Sequence, residues 1–134
     1  THGHFVEEDP VNSSLLLAPG NGDDGRLSAL EIFKLHFRGR AVILSACKTA
    51  LGKSSTGSEI IGLNRSFLYA GSPSVVSTLW SIDDKVTADF MDDFYTQIQG
   101  GKGIAHSLKQ AQVDMIKRKY EPYYWAPFNL TGRY

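Results

Sequence analysis

Arg40-Ala41-Val42-Ile43-Leu44-Ser45-Ala46-Cys47 is the stretch on which the fold turns. Its Ala-Val-Ile-Leu run has no polar alternation, the pattern of a strand covered on both faces within a parallel sheet. Downstream, a polar Gly and Ser loop from Lys48 to Ser58 precedes Ile60, Ile61, Leu63, Phe67 and Leu68, which recur at helical spacing until Gly71 can end the helix. Ser74-Val75-Val76-Ser77-Thr78-Leu79-Trp80 then reads as a second strand. A strand, a helix and a strand within about forty residues favour a right-handed crossover, because parallel strands need such a return path.

Outward from this unit, two more helices are predicted. One carries Val86, Phe90, Phe94 and Ile98, the other Ile104, Leu108, Ala111 and Met115, and both stripes are expected to face the sheet. The tail Pro122-Tyr123-Tyr124-Trp125-Ala126-Pro127-Phe128 cannot be a regular helix because Pro127 lacks an N–H, and Trp125 and Phe128 are expected in the core. Toward the N-terminus, Ser13 to Ala18 suits a short strand stopped by Pro19-Gly20-Asn21-Gly22. Ser28 and Glu31 have the S-x-x-E spacing of a capping box, opening a helix through Leu30, Phe33 and Leu35 that Gly39 breaks.

Composition narrows the function. The 134 residues hold 14 basic and 14 acidic side chains, so no broad cationic face is expected and direct nucleic acid binding is not predicted. No apolar run approaches the ~18 residues of a membrane span, so no membrane association is expected. One cysteine cannot form an intrachain disulfide or a multi-Cys zinc site, and no signal-peptide pattern stands at the N-terminus, which together point to a reducing, cytoplasmic setting. The chain opens on Thr1 without a methionine, as a piece of a longer protein would.

Cys47 follows the first buried strand, and the carboxyl end of parallel strands is where open α/β folds place functional side chains. As a nucleophile it needs a base, because the thiolate is the reactive species; its plainer role is packing, since free cysteines are often buried. His2 is the candidate base and His4 its competitor, while His36 and His106 fall in helical stretches. The His2-x-His4 pair has no further ligand at metal-site spacing, so no metal is predicted. Gly100-Gly101-Lys102-Gly103 lacks the order of a phosphate-binding loop and reads as a turn between helices. Asp83 or Asp84 stands where an N-cap is wanted before the Val86 helix, and Trp80 at a strand end reads as core.

These blocks resemble the CHAT domain of the caspase and separase clan of cysteine peptidases. The resemblance rests on Thr1-His2-Gly3, Leu44-Ser45-Ala46-Cys47-Lys48-Thr49, Gly62 to Gly71, Ser77-Thr78-Leu79-Trp80-Ser81-Ile82-Asp83-Asp84, Phe94-Tyr95 and Tyr124-Trp125-Ala126-Pro127-Phe128, in family order. The separation of 45 between His2 and Cys47 is near the spacing of about 50 found in caspases. The resemblance implies an α/β, caspase-like (caspase-hemoglobinase) three-layer sandwich, its mainly parallel sheet flanked by helices, with residues 1–134 forming one peptidase domain that lacks its N-terminal strands.

The same resemblance implies a cysteine endopeptidase acting on protein substrates. His2 carries over as general base and Cys47 as nucleophile, with the backbone N–H groups of Gly3 and Cys47 as the oxyanion hole. Asp84 would receive the basic Arg or Lys side chain before the scissile bond, with Asp83 as the other aspartate at that place and Trp80 lining the groove. No cofactor is implied, and an adjacent sensor or TPR-like repeat domain is the expected partner. Where the family usually has His-Pro before the aromatic tail this sequence has Glu121-Pro122, so any role of that histidine is absent. The alternatives are a catalytically silent interaction module of the same fold, and a small-molecule-binding α/β domain in which Cys47 only packs.

Overall fold

The computed structural model describes residues 2–4, 6, 10–39, 41–44 and 58–133, with the backbone alone for residues 2, 10 and 58–61. Three short strands come first: β1 (His2–His4), β2 (Ser14–Leu16) and β3 (Arg26–Ser28). They form an antiparallel sheet in the order β1-β2-β3. Between β2 and β3 the chain reverses at Asn21 and Gly22, with φ of 54° and 91°. Gly20 and Asp23 bridge across this turn. Positive φ at both central residues matches the right-handed strand twist, and Asn-Gly tolerates it best.

Helix α1 (Ala29–Lys34) begins with the expected capping box. The Ser28 hydroxyl accepts the Glu31 N–H at 3.2 Å, and the Glu31 carboxylate accepts the Ser28 N–H at 2.8 Å. The helix is shorter than its apolar pattern suggested: it ends at Lys34, with Leu35 as an extended cap. Only Ala29 and Ile32 of α1 are buried, while Leu30, Phe33 and Leu35 are exposed. Six residues present less than two turns, so one narrow stripe alone reaches the core.

The second sheet holds β4 (Val42–Leu44), β5 (Ser74–Thr78) and β6 (Phe128–Gly132), in that order. Between the first two runs α2 (Ser58–Tyr69), and β4 pairs with β5 in parallel, as the strand-helix-strand pattern predicted. Strand β5 is buried along its whole length, whereas β4 is only half-buried, against the expectation of two covered faces. The reason is position: β5 is central, and among the described residues β4 has a partner on one edge only.

Strand β6, antiparallel to β5, had no counterpart in the pattern of the sequence. The tail before it is one helical turn, α5 (Pro122–Trp125), with Pro122 in the first turn, where its missing N–H costs nothing. One of the four strand pairings described is parallel, so the described residues form a mixed α/β structure of two small sheets with helices.

Helices α3 (Asp84–Gln99) and α4 (Ile104–Lys117) complete the structure. Their turn at Gly100 to Gly103 is closed by the Lys102 N–H on the Gln97 carbonyl at 3.1 Å, with Gly101 at φ 81°. Both apolar stripes face the sheet. Phe90, Phe94, Leu108, Ala111 and Met115 are buried with Val76 and Phe128, and Val86, Ile98 and Ile104 pack on them. The Phe90 and Phe128 rings stack with centroids 3.7 Å apart. Trp125 is half-buried at the margin of this core, its indole N–H on the Tyr120 carbonyl. The opposite face of β5 carries a second core, in which Val75 meets Leu15, Ala29, Ile32, Leu63 and Phe67.

Candidate active site

The parallel pairing of β4 with β5 decides what can meet. Leu44, the last residue of β4, lies opposite Ser77, and β5 ends one residue later at Thr78. Both strands therefore end at one sheet edge. Cys47 lies outside the described residues, three positions beyond Leu44. Residues 79–84 leave β5 from the same edge.

That second segment is well held. The Leu79 N–H donates to the Pro127 carbonyl at 3.0 Å. The Trp80 indole N–H donates to the Tyr123 carbonyl at 3.0 Å, and the Tyr123 hydroxyl donates to the Ser81 carbonyl at 2.8 Å. Trp80 and Tyr123 rings stack at 6.2 Å. Half-buried Trp80 packs on the core as well as bordering this edge. A tryptophan satisfied at its polar end and apolar elsewhere suits such a rim.

The two aspartates divide their work. Asp83 caps α3: its carboxylate accepts the Lys85 N–H at 3.0 Å and the Val86 N–H at 3.3 Å. Asp84 is the exposed first residue of the helix. The cap therefore falls to Asp83.

At the other end of the chain, β1 carries His2, Gly3 and His4, paired with Leu16, Leu15 and Ser14. Gly3 is buried, opposite the core residue Leu15. The side chain of His2 lies outside the described portion. His4 is exposed and lines an open groove of about 550 Å³ with Ser14, Arg26, Ser28, Glu31 and Lys34. Within this groove the Ser28 bonds hold the Glu31 carboxyl below its ordinary value. Among the described residues no cluster of three or more His, Cys, Asp or Glu is assembled, and no helix is long and apolar enough to cross a membrane.

One polar pair carried no signal of its own. The Asn64 amide donates to the Ser77 hydroxyl at 2.9 Å, buried between α2 and the end of β5. The available cue was an asparagine beside Leu63 and three residues before Phe67, on the buried side of the α2 stripe.

Residues 1–133 match the family model of the CHAT domain. The chain belongs to the CHAT domain family. CHAT domains fall within the caspase-like protease clan. This CHAT domain is 31% identical over 108 residues to Tetratricopeptide repeat protein 28 of Mus musculus. It is 29% identical over 108 residues to Tetratricopeptide repeat protein 28 of Homo sapiens. In each case the match covers 79% of this chain, and the chain spans 4% of the relative's length.

Proposed function

We propose that this CHAT domain is the catalytic part of a cysteine endopeptidase that cleaves protein substrates after Arg or Lys. Cys47 gives its thiol proton to His2 and attacks the scissile carbonyl carbon through sulfur. The backbone N–H groups of Gly3 and Cys47 hold the resulting oxyanion, a contribution of typically ~10²–10³ in rate for one donor. The His2 imidazolium then protonates the leaving amine as the C–N bond breaks. Water, deprotonated by His2, hydrolyses the thioester and restores the thiol. The reaction requires no cofactor.

Asp84 receives the basic side chain before the scissile bond, Trp80 forms a wall of the groove, and Asp83 holds the helix end that presents its neighbour. In the whole protein the strands complete a caspase-like three-layer sandwich, and a TPR-like repeat domain on the same chain acts as sensor in the cytoplasm. The names of the relatives support that partner. The observation that carries the reading is the shared edge of β4 and β5. Residues 79–84 leave β5 at that edge, Cys47 stands three positions after Leu44 in the sequence, and residues 1–133 match the CHAT model.

The test is covalent labelling of the full-length protein by a peptide acyloxymethyl ketone with Arg before the warhead. Labelling should vanish in Cys47→Ala and fall by at least about a hundredfold in His2→Ala, in line with the usual worth of a general base. An Asp-directed probe should label poorly. A Cys47 inert to every probe in folded, activated protein would replace the peptidase by a silent interaction module of the same fold.

A further inference from the structure

Between the end of β5 at Thr78 and the start of α3 at Asp84 the chain has no helix or strand of its own. Such a stretch keeps its shape only through what packs on it. The Leu79 N–H is held by the Pro127 carbonyl, Ile82 is buried in the core, and the Asp83 carboxylate is engaged by the N–H groups of Lys85 and Val86. The two residues in the middle, Trp80 and Ser81, are both held by Tyr123.

Tyr123 is 53% exposed, so burial is not its main contribution. Its carbonyl accepts the Trp80 indole N–H at 3.0 Å, and its hydroxyl donates to the Ser81 carbonyl at 2.8 Å. One residue thus grips two neighbours, backbone to side chain and side chain to backbone, with the Trp80 and Tyr123 rings stacked between the two bonds. The short helix that carries Tyr123 is braced from behind. The Gln112 amide of α4 donates to the carbonyls of Trp125 and Phe128 at 3.3 and 3.1 Å. The clasp therefore ties an irregular stretch to a helix of 14 residues.

We infer that Tyr123 is a specificity-determining positioning residue: its clasp on Trp80 and Ser81 fixes the entry into α3 and with it the place of Asp84, the carboxylate that selects a cationic side chain. Asp84 is exposed, so no packing around its side chain locates it, and its backbone must. A carboxylate recognises a guanidinium by paired, directional hydrogen bonds, which a displaced carboxylate cannot form. The role in specificity rests on the peptidase reading; the clasp does not.

The experiment uses full-length protein carrying Tyr123→Phe, which keeps the ring and the carbonyl and loses the hydroxyl alone, and Tyr123→Ala, which loses the ring as well. Amide hydrogen exchange of residues 79–82 should quicken by about threefold or more in the first and further in the second, while α3 and α4 beyond their first turns stay protected. Labelling of Cys47 is then compared between the Arg-directed ketone and its uncharged citrulline counterpart. The preference for Arg should fall at least about threefold in Tyr123→Phe and about tenfold in Tyr123→Ala. The loss should lie in the half-saturating concentration of the Arg probe, with its maximal rate and the citrulline labelling unchanged.

A merely structural role would lower labelling by both probes together, and that result overturns the inference, as does an Arg preference that neither variant moves. Unchanged exchange at residues 79–82 in both variants overturns it whatever the probes do. Quickened exchange in a protein whose Cys47 never labels, the unsubstituted chain included, sinks the peptidase and the specificity role with it, and leaves the clasp standing. Should Tyr123→Ala lose protection throughout, Tyr123→Phe alone is decisive.

Discussion

Val75 and Val76 are neighbours in β5, yet they belong to two differently built cores. Val76 faces α3 and α4, two helices of 16 and 14 residues whose apolar positions recur every three or four residues and are buried together. Val75 faces pieces: one residue from β2, two from α1, and three from α2 and the residue after it. On the first side the apolar stripe and the buried surface coincide. On the second, Leu30 is 53% exposed and Phe33 44%, and the polar Asn64 and Ser77 are buried instead. Long helices align many apolar side chains by their own geometry, while short elements bury only what their neighbours happen to cover.

That contrast is breakable. Phe90→Ala, at a fully buried ring stacked on Phe128, should cost about 3–5 kcal/mol. Phe33→Ala, at a ring resting on exposed Tyr69, should cost no more than about 1 kcal/mol. Hydrogen-exchange protection of the β5 amides in the full-length chain reports both, and equal losses would end the distinction between the two cores.

A smaller effect is expected where both sides are built alike. Ser28→Ala at the head of α1 and Asp83→Ala at the head of α3 each remove a cap worth about 1 kcal/mol. The local consequence should differ. Exchange in six-residue α1 should rise along its whole length, whereas in α3 the rise should stop within the first turn; fraying of α3 throughout would contradict the idea that its stripe, and not its cap, holds it.

Acid gives the finest probe. The bonds from Ser28 lower the Glu31 carboxyl from its ordinary value, and those from Gln110 and then Lys117 lower that of Asp114. A group lowered in the folded state contributes stability that is complete above its unfolded pKa and is lost as pH falls through the lowered folded one. Both contributions should therefore fade only on acidification below the usual carboxylate range. The effect should be slight, since both groups are exposed to solvent screening. Side-chain NMR titration should place both midpoints below ordinary carboxylates, and Ser28→Ala should return Glu31 toward its usual value while leaving Asp114 alone.

Much of the architecture was legible where the signal is local. The unalternated run before Cys47, the second run at Ser74 and the stripes of α2, α3 and α4 each lie within one element, and their pairing as strand, helix and parallel strand followed from chain connectivity. The turn at Asn21 and Gly22 and the capping box of Ser28 and Glu31 were equally plain. Strand β6 was not: Phe-Asn-Leu-Thr-Gly has little pattern of its own and becomes a strand because β5, some fifty residues earlier, has a free edge. The aspartates at 83 and 84 looked interchangeable until the cap geometry separated them.

The order of residues by itself determined α2, α3, α4 and the two strand runs, because these depend on spacing along the chain, and its motifs carried the resemblance to the family and the candidates His2 and Cys47. Only the tertiary structure decided which apolar residues of α1 stay in solvent, that β4 is half-covered, that Asp83 is the cap, and that Asn64 pairs with Ser77. Burial and hydrogen-bond accounting depend on what packs across the sheet, and no stretch of the chain carries its partner's coordinates.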